Sequence, residues 1–292
     1  MTTEITPSTI AIEGVNISMN DMQINRTQIE NLFAGYVKNY NDKDSKVKLK
    51  IDHTYRVANL CEQIAKSLDL TVPEIDLAWL LGMLHDIGRF EQIRRYGTFS
   101  DAESIDHAMF GADLLFGEGL IRKFVTASDN DLLIETAIRN HSVYRIPEDL
   151  DEETKMFCHI LRDADKIDIL KVNVEVPLEE IYNVTTEELY HCEVSPAVMD
   201  NFKLHRATLR SLKQTPIDHV VGHISLVYEL VYPISLHIVK EQGYLDKLLS
   251  FESSLDITKE QFAFLRREME TYLIENSNNT QSHKPAMQKT HR

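Results

Sequence analysis

Apolar residues at helical spacing, with histidines riding on the same stripes, constrain this chain more than any other feature. From Asp52 to Leu70, His53, Val57, Leu60 and Ile64 fall at i, i+4, i+7 and i+11, so one helix face carries a core stripe and an imidazole together. Thr71-Val-Pro-Glu74 has the form of a capping box with proline in the first turn. The helix it opens turns Leu77, Leu80, Leu81 and Leu84 inward and delivers His85-Asp86, after which Gly88 is expected to let the chain turn away.

The pattern recurs downstream. Arg89 to Phe99 reads as a loop, and a second capping box, Ser100 to Glu103, precedes a helix with His107, Phe110, Gly111, Leu114 and Leu115 on one face. Gly117-Glu-Gly119 ends that helix. Asp131 to His141 aligns Leu133, Ile134, Ala137, Ile138 and His141, and a helix from about Asp151 aligns Phe157, Ile160, Leu161, Ala164, Asp165 and Asp168. Val174 to Pro177 reads as a short extended piece. Further helices are expected around 195–212, 216–239, 243–251 and 258–274. No repeat and no run of alternating strands is evident, so the fold class is all-α.

The chain organises as a flexible arm over residues 1–25, a helical unit over 26–172, a helical extension over 173–275 packed on that unit, and a disordered tail over 276–292. A net charge of −15 argues against a nucleic-acid backbone as main partner. The basic cluster Lys43 to Lys50 is interrupted by Asp44 and suits a solvated loop or helix entry. Cys61, Cys158 and Cys192 are too few and too scattered for a disulfide framework. No export signal is visible, and the most apolar stretch, 219–239, holds His223, Glu229, Pro233 and His237, a poor membrane span. A cytoplasmic protein is expected, and apolar faces in the last hundred residues are compatible with a homodimer.

A single histidine on an apolar face is ordinarily a satisfied core residue. Four of them, His53, His85, His107 and His141, with Asp86 and Asp165, change the balance. Burying so many titratable groups unpartnered is costly, and a bound cation removes the cost. Mixed imidazole and carboxylate donors suit Mn, Fe, Co, Ni or Zn. Two cations sharing Asp86 would use all six residues; one would need only His53, His85, Asp86 and Asp165. His219-Val-Val-Gly-His223 has metal-pair spacing without the glutamate of the protease motif, and reads as core packing with at most a pocket-lining role. Tyr228, Glu229 and Tyr232 are candidates to wall a pocket.

His53, His85-Asp86 and Asp165, within Leu161-Arg-Asp-Ala-Asp-Lys-Ile-Asp168, resemble the H…HD…D signature of the HD-domain metal-dependent phosphohydrolases over about residues 52–171. His85-Asp-Ile-Gly88, His107-Ala-Met-Phe-Gly111 and Ala137-Ile-Arg-Asn-His141 strengthen the likeness. In the family pattern the last metal aspartate precedes a basic residue, which selects Asp165 over Asp163. The resemblance implies a helical bundle with added C-terminal helices and metal-assisted hydrolysis of a small phosphorylated substrate, with Asp86, His107 and His141 as the catalytic group. Arg56, Arg89 and Lys166 are the expected phosphate contacts, and the segment Arg89 to Arg95 the expected basic rim. If one metal binds, His107 or His141 is free to protonate the leaving oxygen. The extra histidine pair resembles the dinuclear branches, which include cyclic-dinucleotide phosphodiesterases and di-iron oxygenases. Ser142-Val-Tyr-Arg-Ile-Pro147 stands where Gly-Tyr-Pro would follow His141, which counts against the cyclic-dinucleotide class. A di-iron oxygenase on the same ligands, or a non-catalytic nucleotide sensor, are the alternatives.

Overall fold

The computed structural model describes residues 24–41, 43–126 and 129–278. Most of the expected arm (1–25) and tail (276–292) therefore lies outside the described residues. Among the described residues there is no strand, and the fold is an all-α bundle with additional C-terminal helices. No helix among the described residues is long and apolar enough to cross a membrane.

Helix α1 (Arg26–Val37) is tied to its neighbours by Arg26, which pairs with Glu62 and Asp76, each at 2.7 Å. Helix α2 (Ser45–Ser67) starts earlier than its apolar stripe suggested, because the Asp44 side chain caps it by accepting from Lys46 N. The basic cluster is thus a helix entry. Helix α3 (Val72–Leu84) begins at the expected box, with the Glu74 carboxylate accepting from Thr71 N at 2.7 Å. Helices α2 and α3 cross closely at Gly82, where a Cβ would come within 2.5 Å of Ala58 Cα.

Three sequence expectations fail here. The segment Arg89 to Phe99 is largely helix, α4 (Ile87–Tyr96), stopped by Gly97 at φ +70°. Its charges pair along the helix, Arg94 and Arg95 both with Glu91, while Phe90 is buried against Phe33 with ring centroids 5.8 Å apart. Gly88 does not turn the chain; it lies in the first turn of α4, where a Cβ would meet His107 O at 2.6 Å and Gly111 N at 2.7 Å. The box at Ser100 opens only a 3-10 turn (Asp101–Glu103), and α5 (His107–Ala112) is capped instead by Asp106, which accepts from Ala108 N and Met109 N.

A π-turn (Asp113–Gly117), α6 (Ile121–Phe124) and α7 (Asp131–Arg139) lead to the long α8 (Glu152–Glu175). At 1.5 Å per residue α8 spans about 36 Å and reaches across the bundle. It runs to Glu175, so only Val176 of the expected extended piece is extended. The C-terminal helices are α9 (Leu178–Tyr182), α10 (Thr186–Tyr190), α11 (Pro196–Lys203), α12 (Pro216–Ile224), α13 (Pro233–Gln242), α14 (Tyr244–Leu249) and α15 (Asp256–Asn278). The expected helix over 216–239 is broken by a 3-10 turn (Ser225–Glu229) and by Pro233, and α15 continues beyond residue 275. Asp163 of α8 anchors this segment: its buried carboxylate accepts from Val231 N, Tyr232 N and Ser235 Oγ. The core holds Phe33, Phe90, Phe157, Phe202 and Phe262, each fully buried and worth about 1.5–3 kcal/mol.

Candidate metal centre

Helix ends, more than helix middles, aim the site. His53 projects from α2, His85 ends α3, Asp86 precedes α4, His107 opens α5, His141 lies just past α7, and Asp165 comes from α8. The structure brings all six together. Asp86 Oδ2 lies 3.5 Å from His53 Nε2 and 3.6 Å from His85 Nε2. Its other oxygen, Oδ1, lies 3.4 Å from His107 Nε2 and 3.8 Å from His141 Nε2. Asp165 Oδ1 stands 3.3 Å from His53 Nε2 and 3.9 Å from His85 Nε2. Five of the six form two groups sharing one carboxylate, His53–His85–Asp86 and Asp86–His107–His141, each of which could hold a metal ion, and Asp165 adjoins the first.

Every ring is fixed from behind through Nδ1. His85 donates to Gly82 O at 2.8 Å and His141 to Ile138 O at 2.7 Å; a carbonyl only accepts, so Nδ1 carries the hydrogen. His53 Nδ1 meets Asp168 Oδ2 at 2.6 Å, and His107 Nδ1 meets Asp101 Oδ2 at 2.7 Å. Each Nε2 is thereby turned to the centre, the arrangement that orients histidine ligands in metal sites. Burial pushes His141 down to about 4, aided by His85, and His107 down to about 4, aided by Arg89; burial lowers His85 as well. These rings are neutral at pH 7, and the lone pairs of His107 and His141 face each other at 3.0 Å. A cation between them turns that repulsion into ligation, so the donor set fits a divalent metal.

The carboxylates are ionised. Burial opposes the charge on Asp86, yet Lys50, His53 and Arg89 hold it well below the usual range; Asp165 is held low against burial by His53. His53 is the exception among the rings: despite burial and Lys50, the carboxylates of Asp165, Asp168 and Asp86 raise it to about 10. A metal binding there displaces that proton.

The centre opens into a cavity of about 560 Å³, the size of a small-molecule site. Of the expected phosphate contacts, Arg89 and Lys166 line it and Arg56 does not. Arg56 instead grips Asp168 through Nε at 2.6 Å and Nη2 at 2.9 Å, behind His53. Arg89 is held by Asp101 Oδ1 and Phe99 O, both at 2.7 Å, with its Nε 3.6 Å from Asp86 Oδ1. Arg94 and Arg95 pair with Glu91 outside the cavity, so of the expected rim only Arg89 is there.

Several contributors went unread in the sequence. Lys50 donates to Asp86 Oδ2 at 2.7 Å, and its place one turn before His53 was the available signal. Asp168 lies at i+3 from Asp165 on α8, a spacing open to the same reading. Asp101 has no local signal. From the C-terminal half, Glu229 lines the cavity as expected, but Tyr228 and Tyr232 do not; the Tyr232 hydroxyl donates to Met156 O. His223 lines it too, with a defined tautomer. Asn173 donates its amide to Ile169 O, so its Oδ1 accepts from the Tyr182 hydroxyl, whose oxygen accepts from His223 Nδ1–H at 2.7 Å. Burial and Lys213 keep this ring neutral, pushed down to about 3, which leaves Nε2 as an acceptor.

No curated protein and no solved structure shows a significant match to the chain. Residues 51–170 match the family model described as the HD domain, the stretch that contributes every one of the six donors. Residues 51–170 thus carry the pattern of an HD domain, a family whose members are generally metal-dependent hydrolases.

Proposed function

We propose that this protein is a phosphohydrolase acting on a small nucleotide or other phosphorylated metabolite, with two divalent cations held at the His/Asp centre. The observation that carries the reading is the convergence of four Nε2 atoms on the two oxygens of Asp86. Bound cations there would supply a water of lowered pKa and draw charge from the phosphoryl oxygens. Asp86 joins the two donor groups, and Lys50 and Arg89 keep its carboxylate ionised and oriented. Asp101 and Asp168 hold His107 and His53 in register, and a cavity of about 560 Å³ suits a small substrate.

The test is phosphate release from p-nitrophenyl phosphate and a panel of nucleotides, with Mn, Fe, Co, Ni and Zn supplied in turn. Turnover is expected with at least one metal and is abolished by a chelator, by His85→Ala and by Asp86→Asn. Activity that survives either substitution removes the assignment. Two donor groups bridged by one carboxylate also suit a pair of irons, and oxygen uptake that requires iron and a reductant would favour an oxygenase instead.

A further inference from the structure

Among the described residues, three cations line the cavity without an acid in hydrogen-bond or ion-pair contact. Lys166 of α8 is buried, and its Nζ, shielded from water, meets no hydrogen-bond acceptor. Lys213 and Arg210, on the turn that enters α12, make no side-chain hydrogen bond or ion pair among the described residues. Acids are not scarce, at 46 against 31 bases, but those nearby are committed. Asp218 accepts from Ser195, Gln214 and Thr215, Asp163 from Val231, Tyr232 and Ser235, and Asp165 belongs to the His/Asp centre. Glu229 stands by Arg162 at 4.0 Å.

The seat of Lys213 is specific. Its side chain lies across Gly222, where a Cβ would come within 2.5 Å of Cε and 2.6 Å of Nζ. A glycine in α12 thus leaves the space in which the end of the lysine rests against the cavity wall. Lys213 is half-buried and Arg210 exposed, so an anionic group arriving at this wall meets two cations that no protein acid already holds.

We propose that Arg210 and Lys213 form a second anion subsite in the cavity that also holds Lys166 and the His/Asp centre, so that the substrate is a small molecule with two anionic groups. A phosphoester occupies the centre, and a second phosphate or carboxylate occupies this wall. The substrate half of the statement rests on the phosphohydrolase reading; the subsite itself does not.

The experiment is calorimetric titration of the full-length protein with inorganic phosphate at low ionic strength. A saturable site is expected that Lys213→Met with Arg210→Gln weakens roughly tenfold or more, as befits losing charge-assisted hydrogen bonds. Gly222→Ala keeps every charge, and only the flexible end of Lys213 has to move to admit the methyl; it too should weaken the site while circular dichroism stays unchanged. Acetate that competes with phosphate assigns a carboxylate as the natural group, and acetate that does not assigns a phosphate. Absence of saturable phosphate binding, or affinity unchanged in both folded variants, overturns the proposal. The readout is binding, so a protein without hydrolase activity would sink the function and leave the subsite standing.

Discussion

Asp168 and Asp101 show how much of this centre depends on residues that touch no metal donor atom of their own. Each takes the Nδ1 hydrogen of a histidine, at 2.6 Å for His53 and 2.7 Å for His107, and so fixes which nitrogen faces Asp86. Replacing either by asparagine keeps the volume but weakens the charge that orients the ring. Asp168→Asn and Asp101→Asn are each expected to lower metal affinity by about 10–100-fold, measured by competition with a chromogenic chelator. Protonation offers a second check. His85, His107 and His141 have folded pKa values below the ordinary 6.5, with His107 and His141 near 4. Between pH 6.5 and about 4 the unfolded chain binds protons there that the folded chain refuses, so acidification favours unfolding. Asp163, raised by burial to about 6, works in the opposite direction with one proton, and His53, protonated in the folded chain throughout, opposes only near the top of the window, until the unfolded ring is protonated as well. Metal-stripped protein should therefore melt at progressively lower temperature from pH 6.5 to pH 4.5; a flat or rising melting temperature would contradict the neutral imidazole cluster.

Among the elements, α4 and α5 carry the constraint that bears most directly on the centre. Gly88 and Gly111 let the two helices touch backbone to backbone, and this contact sets where His107 stands relative to Asp86. Gly88→Ala is expected to cost about 1–3 kcal/mol by overpacking and to loosen the His107 half of the centre, read by thermal unfolding and metal titration together. The same pair explains what the sequence could and could not disclose. Stripes such as His53, Val57, Leu60 and Ile64 are local and periodic, so α2, α3, α7 and the front of α8 were legible. Helix α4 was not: Arg89, Glu91, Arg94 and Arg95 interrupt its apolar positions, and its stability comes from pairs on Glu91 and from burial of Phe90. Gly88 looked like a turn because a close helix approach leaves no local mark. The short helices α9 and α10 offer too few turns to show a period.

At the scale of the whole molecule, α8 joins the metal centre to the wall that faces it. Asp165 and Lys166 look into the cavity, while Asp163 anchors the chain entering α13 and Arg162 gathers the carbonyls of Asn140, His141, Val143 and Tyr144. The six donors lie within the stretch that matches the HD domain, so their spacing could be read from the chain. Arg210, Lys213 and His223 come from beyond it and meet the site only through tertiary packing, for which no spacing rule exists. On the proposed function, substrate choice belongs to that junction, since loops and packed helices outside the core of a site shape its pocket. The central claim is narrower: Asp86 joins two cation sites in one chain. Elemental mass spectrometry of protein purified without chelator, and again after reloading, tests it directly. Two divalent transition metals per chain are predicted, both lost with Asp86→Asn, whereas one metal after reloading would contradict the shared carboxylate and none would contradict the centre itself.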